Sequence, residues 1–159
     1  MPARADNTRR LTEAQVCEIA GTSQQRRQGW AKRRWLRKAP HGGCGLLDAL
    51  ELAQLKALID VLGPTDGPVA WLQVRADLEQ PFPAEQLDVV FDVQFKRAVV
   101  SRADTDLRAV IAHGRPIRLV ALADLRDQTA GAFRRLAEIG RASAENATTK
   151  PARGGRKTG

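Results

Sequence analysis

The side chains with chemistry to offer crowd into one stretch, GTSQQRRQGWAKRRWLRKAPHGG, Gly21 to Gly43. It holds seven Lys/Arg residues and two tryptophans and no acid. A helix that reads a nucleic-acid duplex needs cations for phosphates, polar side chains near its N-terminus for base edges, and a packed inner face to hold it. Ser23, Gln24, Gln25, Arg26, Arg27 and Gln28 fall at the N-terminal end of the helix expected here. Gln pairs bidentately with adenine and Arg with guanine, so this end is expected to face bases. Lys32, Arg33 and Arg34, then Arg37 and Lys38 on the following loop, are expected to hold phosphates from the flank. Trp30 and Trp35 are expected to anchor the helix in a core; the alternative use is as stacking platforms for single strands. A helix that is only solvated interleaves both signs of charge, whereas this stretch repels itself without a polyanion partner.

Elsewhere the chain offers no catalytic constellation. Residues 84–140 carry one histidine, His113, with no nucleophile or ligand set beside it. The two cysteines, Cys17 and Cys44, and the two histidines, His41 and His113, do not fall at metal-ligand spacing, so neither a metal nor a cofactor is expected, and the chain is read as a non-enzyme. Cys17 reads as a small core residue; Cys44, between glycines, is expected nearer the surface.

Charge divides the 159 residues in three. Residues 1–45 carry a net +7, residues 46–140 a net −3 and residues 141–159 a net +4. This points to a polyanion-binding module attached to a body with another task. No apolar run reaches about 18 residues and no apolar segment follows the charged N-terminus, so the expected location is the cytoplasm, at the nucleoid.

These residues need elements to place them. LTEAQVCEIAG reads as a short helix with Thr12 and Gln15 as a capping box, a Leu11–Val16 staple and Gly21 as terminator. A second helix, about Gln24 to Arg33, follows after Thr22 or Ser23, forming a tight helix-turn-helix. Gly29 in its interior costs about 1 kcal/mol against Ala, a cost that close packing would explain. LRKAPHGGCG is a loop. Leu47, Leu50, Leu52, Leu55, Leu58, Ile59 and Leu62 make a long amphipathic helix with Asp48 as N-cap, ended by Gly63-Pro64. Another helix is expected from Asp66 or Gly67, before Pro68, with Trp71, Val74 and Leu78 inward. After the PFP at 81–83 the pattern becomes two strands around Gln94–Lys96, a short helix in DTDLRAVIAHG, a strand in RPIRLVAL and a helix ending near Gly140. The fold class expected is α+β: a disordered basic arm over residues 1–10, a DNA-binding unit over 11–80, a separate β-β-α-β-α unit over 84–140 and a disordered basic tail over 141–159.

The order LTEAQVCEIAGTS, then WAKRR-WL, then the loop, then LDALELAQLKALIDVLG before a Gly-Pro resembles the winged helix-turn-helix head of MerR-type regulators and the related excisionase-like proteins, over about residues 11–63. The resemblance implies double-stranded DNA as partner, the second helix in the major groove and the loop as a wing on the backbone. By position it carries base contact onto Gln24–Gln28 and phosphate contact onto Lys32–Arg34, Arg37 and His41. The family often has a glycine where this chain has Arg34, and an Arg and a Tyr in the wing where this chain has HGGCG. A homodimer through residues 84–140 fits this reading, since one short helix reads few base pairs and two on a palindrome multiply specificity. The expected function is a dimeric transcriptional regulator, a repressor. The alternatives are an excisionase-like architectural factor that bends DNA and recruits a recombinase, and an RNA- or ribosome-associated basic protein.

Overall fold

A computed structural model describes residues 10–39, 41–79, 87–102 and 114–149. The elements are α1 (Glu13–Ala20), α2 (Gln24–Lys32), α3 (Leu46–Leu78), β1 (Leu87–Asp92), β2 (Arg97–Arg102), β3 (Ile117–Ala121) and α4 (Ala123–Thr148). The α+β class expected from sequence is present. The expected arm (residues 1–9), the short helix in DTDLRAVIAHG with His113, and the end of the tail lie outside the described residues.

The start of the chain follows its local signals. Gln15 N–H donates to Thr12 Oγ1 (3.2 Å) and Thr12 N–H to Gln15 Oε1 (2.9 Å), which closes the capping box. Leu11 and Val16 are both buried. Gly21 stops α1 in the left-handed region (φ 68°), where Thr22 N–H bonds Cys17 O (2.9 Å). Two residues on, Ser23 caps α2 by accepting from Arg26 N–H (3.2 Å).

The long helix differs from expectation in an instructive way. Asp48 is not its N-cap: Gly45 is, and Asp48, in the first turn, accepts from Gly45 N–H (2.8 Å). Helical structure does not wait for Pro68 after Gly63 but resumes at once. Gly63 alone is non-helical (φ 94°, ψ 171°). Pro64 takes the first position of the second arm, where its missing N–H is no loss. The chain reverses there. Arg37 pairs with both Glu51 and Glu79, residues that a straight helix would hold about 42 Å apart at 1.5 Å per residue. The arms pack so closely that a Cβ on Gly67 would lie 2.6 Å from Ile59 Cα and 2.8 Å from Ile59 N.

Each arm sends a buried stripe inward: Leu52, Leu55, Leu58, Ile59 and Leu62 from the first, Ala70, Trp71, Val74 and Leu78 from the second. α1 packs against α3, α2 and α4. Trp71 Nε1–H donates to Trp35 O (2.6 Å), which fastens the exit of α2 to the second arm.

The sheet is antiparallel with order β2-β1-β3. Leu87, Val89 and Phe91 of the central strand, with Ala98 and Val120 from its neighbours, are buried in the same core cluster as the helices. Elements before and after PFP thus share one buried cluster, with the sheet packed on α3 and α4 packed on both α3 and α1. Gln73, on the second arm, accepts from Ala98 N–H (2.8 Å) and donates to Lys96 O (2.8 Å). Arg126 of α4 donates to Gln54 Oε1 (3.1 Å) on the first arm and Leu78 O (3.0 Å) on the second, and its burial lowers its pKa.

α4 also outruns its expected end at Gly140. It continues to Thr148, so residues 141–148 are helical. Ala, Arg and Glu sustain a helix even where nothing is buried, and Ser143 and Thr148 bond carbonyls one turn back.

Because the hairpin closes backbone to backbone at Gly67, Gly67→Ala is expected to destabilise the fold by about 2 kcal/mol or more, and Gly63→Ala, which forces a side chain into a backbone region that essentially only glycine occupies, by about 1–3 kcal/mol. Denaturant unfolding of the two variants measures both costs.

Candidate nucleic-acid interface

Only two residues of α2 are buried, Arg27 and Trp30. Trp30 is the anchor the sequence leads one to expect. Trp35 is half-buried and contributes its carbonyl to Trp71 as well as its ring to the core edge. Gly29 and Ala31 are half-buried, and Gln24, Gln25, Arg26, Gln28 and Lys32 face solvent.

Arg27 is the clear departure. Its side chain is 4% exposed and Nη1 lies 3.1 Å from Glu13 Oε1 of α1. Position 27 sits three residues before Trp30 and therefore on the same inward face, so the guanidinium cannot reach a base edge. It ties α2 to α1. Its Nε has no hydrogen-bond partner, so the Glu13 carboxylate is the main compensation for a buried charge. Glu13, which the charge pattern hides among the sparse acids of the N-terminal third, is thus part of how α2 is held. An acid at the start of α1 and a base on the inward face of α2 is the signal that would have found the pair.

The remaining residues of the expected base-facing set are exposed: Ser23 as the cap, then Gln24, Gln25, Arg26 and Gln28. Arg26 stacks over Trp30 at 5.2 Å from the ring centroid, and Arg33 over Trp35 at 5.1 Å.

α2 ends in the same hydrogen-bond pattern as α1. Trp35 N–H bonds Trp30 O (3.0 Å) and Arg34 N–H bonds Ala31 O (3.0 Å), with Arg34 at φ 61° in the left-handed seat. That seat normally takes glycine. Arg34 remains exposed, as do Lys32 and Arg33 before it and Lys38 after it. No ion pair joins Arg26, Lys32, Arg33, Arg34 or Lys38 to any described residue.

Arg37 behaves differently. It is engaged by Glu79 and Glu51, and these carboxylates raise its pKa. Its expected phosphate contact therefore competes with two acids already in place. Glu51 is buried, and desolvation pushes its carboxyl pKa up against the lowering effect of Arg37.

His41 is exposed in a turn. The expected wing hairpin is not seen among the described residues. Cys44 pairs with Leu11 as a single antiparallel bridge (Cys44 N–H to Leu11 O 2.7 Å, Leu11 N–H to Cys44 O 2.9 Å), with no two-stranded hairpin in residues 33–45. That bridge buries Cys44, contrary to the exposure expected of a residue between glycines. Burial raises the pKa of Cys17 and of Cys44 alike. No group of three or more His, Cys, Asp or Glu among the described residues is placed to hold a metal ion, and no described helix is long and apolar enough to cross a membrane.

No family model and no curated protein sequence matches the chain. The resemblance to winged helix-turn-helix heads therefore rests on the residues themselves.

Two outcomes follow from these pairs. Glu13→Gln leaves Arg27 buried and uncompensated and is expected to cost about 3 kcal/mol, while Arg27→Met, which removes the charge and keeps the bulk, is expected to be near neutral. Urea denaturation distinguishes them, and an Arg27→Met that costs as much as Glu13→Gln rejects the pairing as the reason. For Glu51 the raised folded pKa means that the protonated form is the one the fold favours. Its ionisation removes stability as pH rises through that pKa. Glu51→Gln is therefore expected to stabilise at neutral pH, with the gain vanishing below the ordinary value of 4.5, as measured by thermal melts across pH.

Proposed function

We propose that the chain is a sequence-specific double-stranded DNA-binding regulator of transcription, a dimeric repressor, that presents α2 to the major groove. One observation carries the reading. The exposed side of α2 and its exit present Gln24, Gln25, Arg26, Gln28, Lys32, Arg33, Arg34 and Lys38, with no acid between Gly21 and Leu47. Five of these are cations without an ion pair to any described residue, so their compensation has to come from outside. The glutamines are suited to base edges and the cations to phosphates. Arg27 leaves the base-reading set for the reason above.

Dimerisation is assigned to the outer face of the sheet. There Val99 and Leu119, each nearly half exposed, stand on either side of Val90, which is itself buried. Exposed apolar side chains gathered on one face are the kind of surface a second copy covers.

Binding to duplex DNA, single-stranded DNA and structured RNA over a range of salt tests the reading. Duplex preference is expected, with log Kd rising against log salt at a slope of about 0.9 per phosphate contacted. Lys32→Ala and Lys38→Ala are each expected to lower that slope by about one, and Gln25→Ala to relax sequence preference instead. Equal binding to RNA and to duplex rejects the proposal.

A further inference from the structure

Gly29 lies inside α2 with nothing within 4 Å of the Cβ it lacks. The close packing that would justify a helix-interior glycine is absent, so its cost is not explained by the fold. What lies over it is a cleft of about 260 Å³ between α2 and the reversal of α3. Arg26 and Arg33 flank the cleft, Trp30 and Trp35 back it, and Pro64 closes one wall. No residue lining it is acidic.

The two arginines are seven residues apart, about 10 Å along the helix axis, with Gly29 between them. Each guanidinium already rests on an indole, which limits the side-chain freedom lost on binding. The site thus joins two pre-positioned planar cations to an uncluttered stretch of helix backbone. It fits a chain of anions with a bulky neutral unit between them, approaching closely. A glycine is the residue that permits such an approach.

We infer that this cleft seats one strand of a nucleic-acid backbone, with the sugar over Gly29 and the flanking phosphates held by Arg26 and Arg33. This rests on the duplex-binding reading above and deepens it. It turns Arg26 from a base reader into a backbone clamp and makes Gly29 a determinant of affinity.

The test is Gly29→Gln in the full chain, which leaves net charge unchanged and fills the cleft, with Ser143→Gln on exposed α4 as control. Gln is the better helix former, so Tm is expected to rise by about 2–4 °C. Duplex affinity is expected to fall about tenfold or more at fixed salt, the scale of one to two lost phosphate contacts. Arg26→Ala and Arg33→Ala are each expected to lower the salt slope by about one, with sequence preference unchanged. Full duplex affinity in Gly29→Gln overturns the inference and leaves the duplex-binding reading standing. A fall in Tm shows that the fold itself needs the glycine and also overturns it. Failure of the unmodified chain to bind any duplex overturns both.

Discussion

The approach of Gly67 to Ile59 is the contact on which the other elements depend. Backbone meets backbone there, with no room for a methyl group. This sets the spacing of the two arms of α3, and α1, the sheet and α4 all pack against that pair. α2 is held to it through Trp71 and the Trp35 carbonyl. The sheet is held through Gln73, and α4 through Arg126. A hairpin this tight can be built only with a residue free to reverse at 63 and a residue without a side chain at 67. The two prolines at 64 and 68 reduce the states available to the unfolded segment between them.

Charge on this scaffold falls into two populations. Arg27, Arg37, Lys56 and Lys96 are paired with acids and serve to join elements or brace a helix. Arg26, Lys32, Arg33, Arg34 and Lys38 have no such partner among the described residues. They are gathered on one helix and its exit. A net charge concentrated in this way is a source of self-repulsion that the apolar anchors Trp30 and Leu36 must offset, and a polyanion relieves it.

Much of the architecture was legible because its signals are local. Thr12/Gln15, Gly21 and Ser23 each dictate a cap through bonds that span three to five residues. The strands announced themselves by Val and Phe between turn residues. What could not be read was set by contacts distant in sequence. Glu13 and Arg27 are 14 residues apart, and only the packing of α1 on α2 makes them a pair. Nothing within KALIDVLGPTDG says that the second helix begins at Pro64 and folds back on the first. The PFP looked like a boundary because composition changes there, but the core runs across that change. The tail of α4 looked disordered because it buries nothing, yet helix propensity does not require burial. In the site, the exposed glutamines and cations followed from the pattern. Arg27 did not, since a basic residue within a basic run carries no mark of being the one turned inward. Arg34 shows the converse: the resemblance marks its position as a glycine site, and the hydrogen bonds around it show the left-handed turn that makes it one.

The Glu13–Arg27 pair constrains how this sequence can change over time. Losing the acid first strands a buried cation, whereas losing the cation first leaves a carboxylate that is already partly in water. The two single steps are therefore unequal, and the contribution of either residue depends on whether the other is still present. Descendants of this chain can pass from a charged to an apolar α1–α2 junction by one order of substitutions far more easily than by the other. The junction gives substitution a direction.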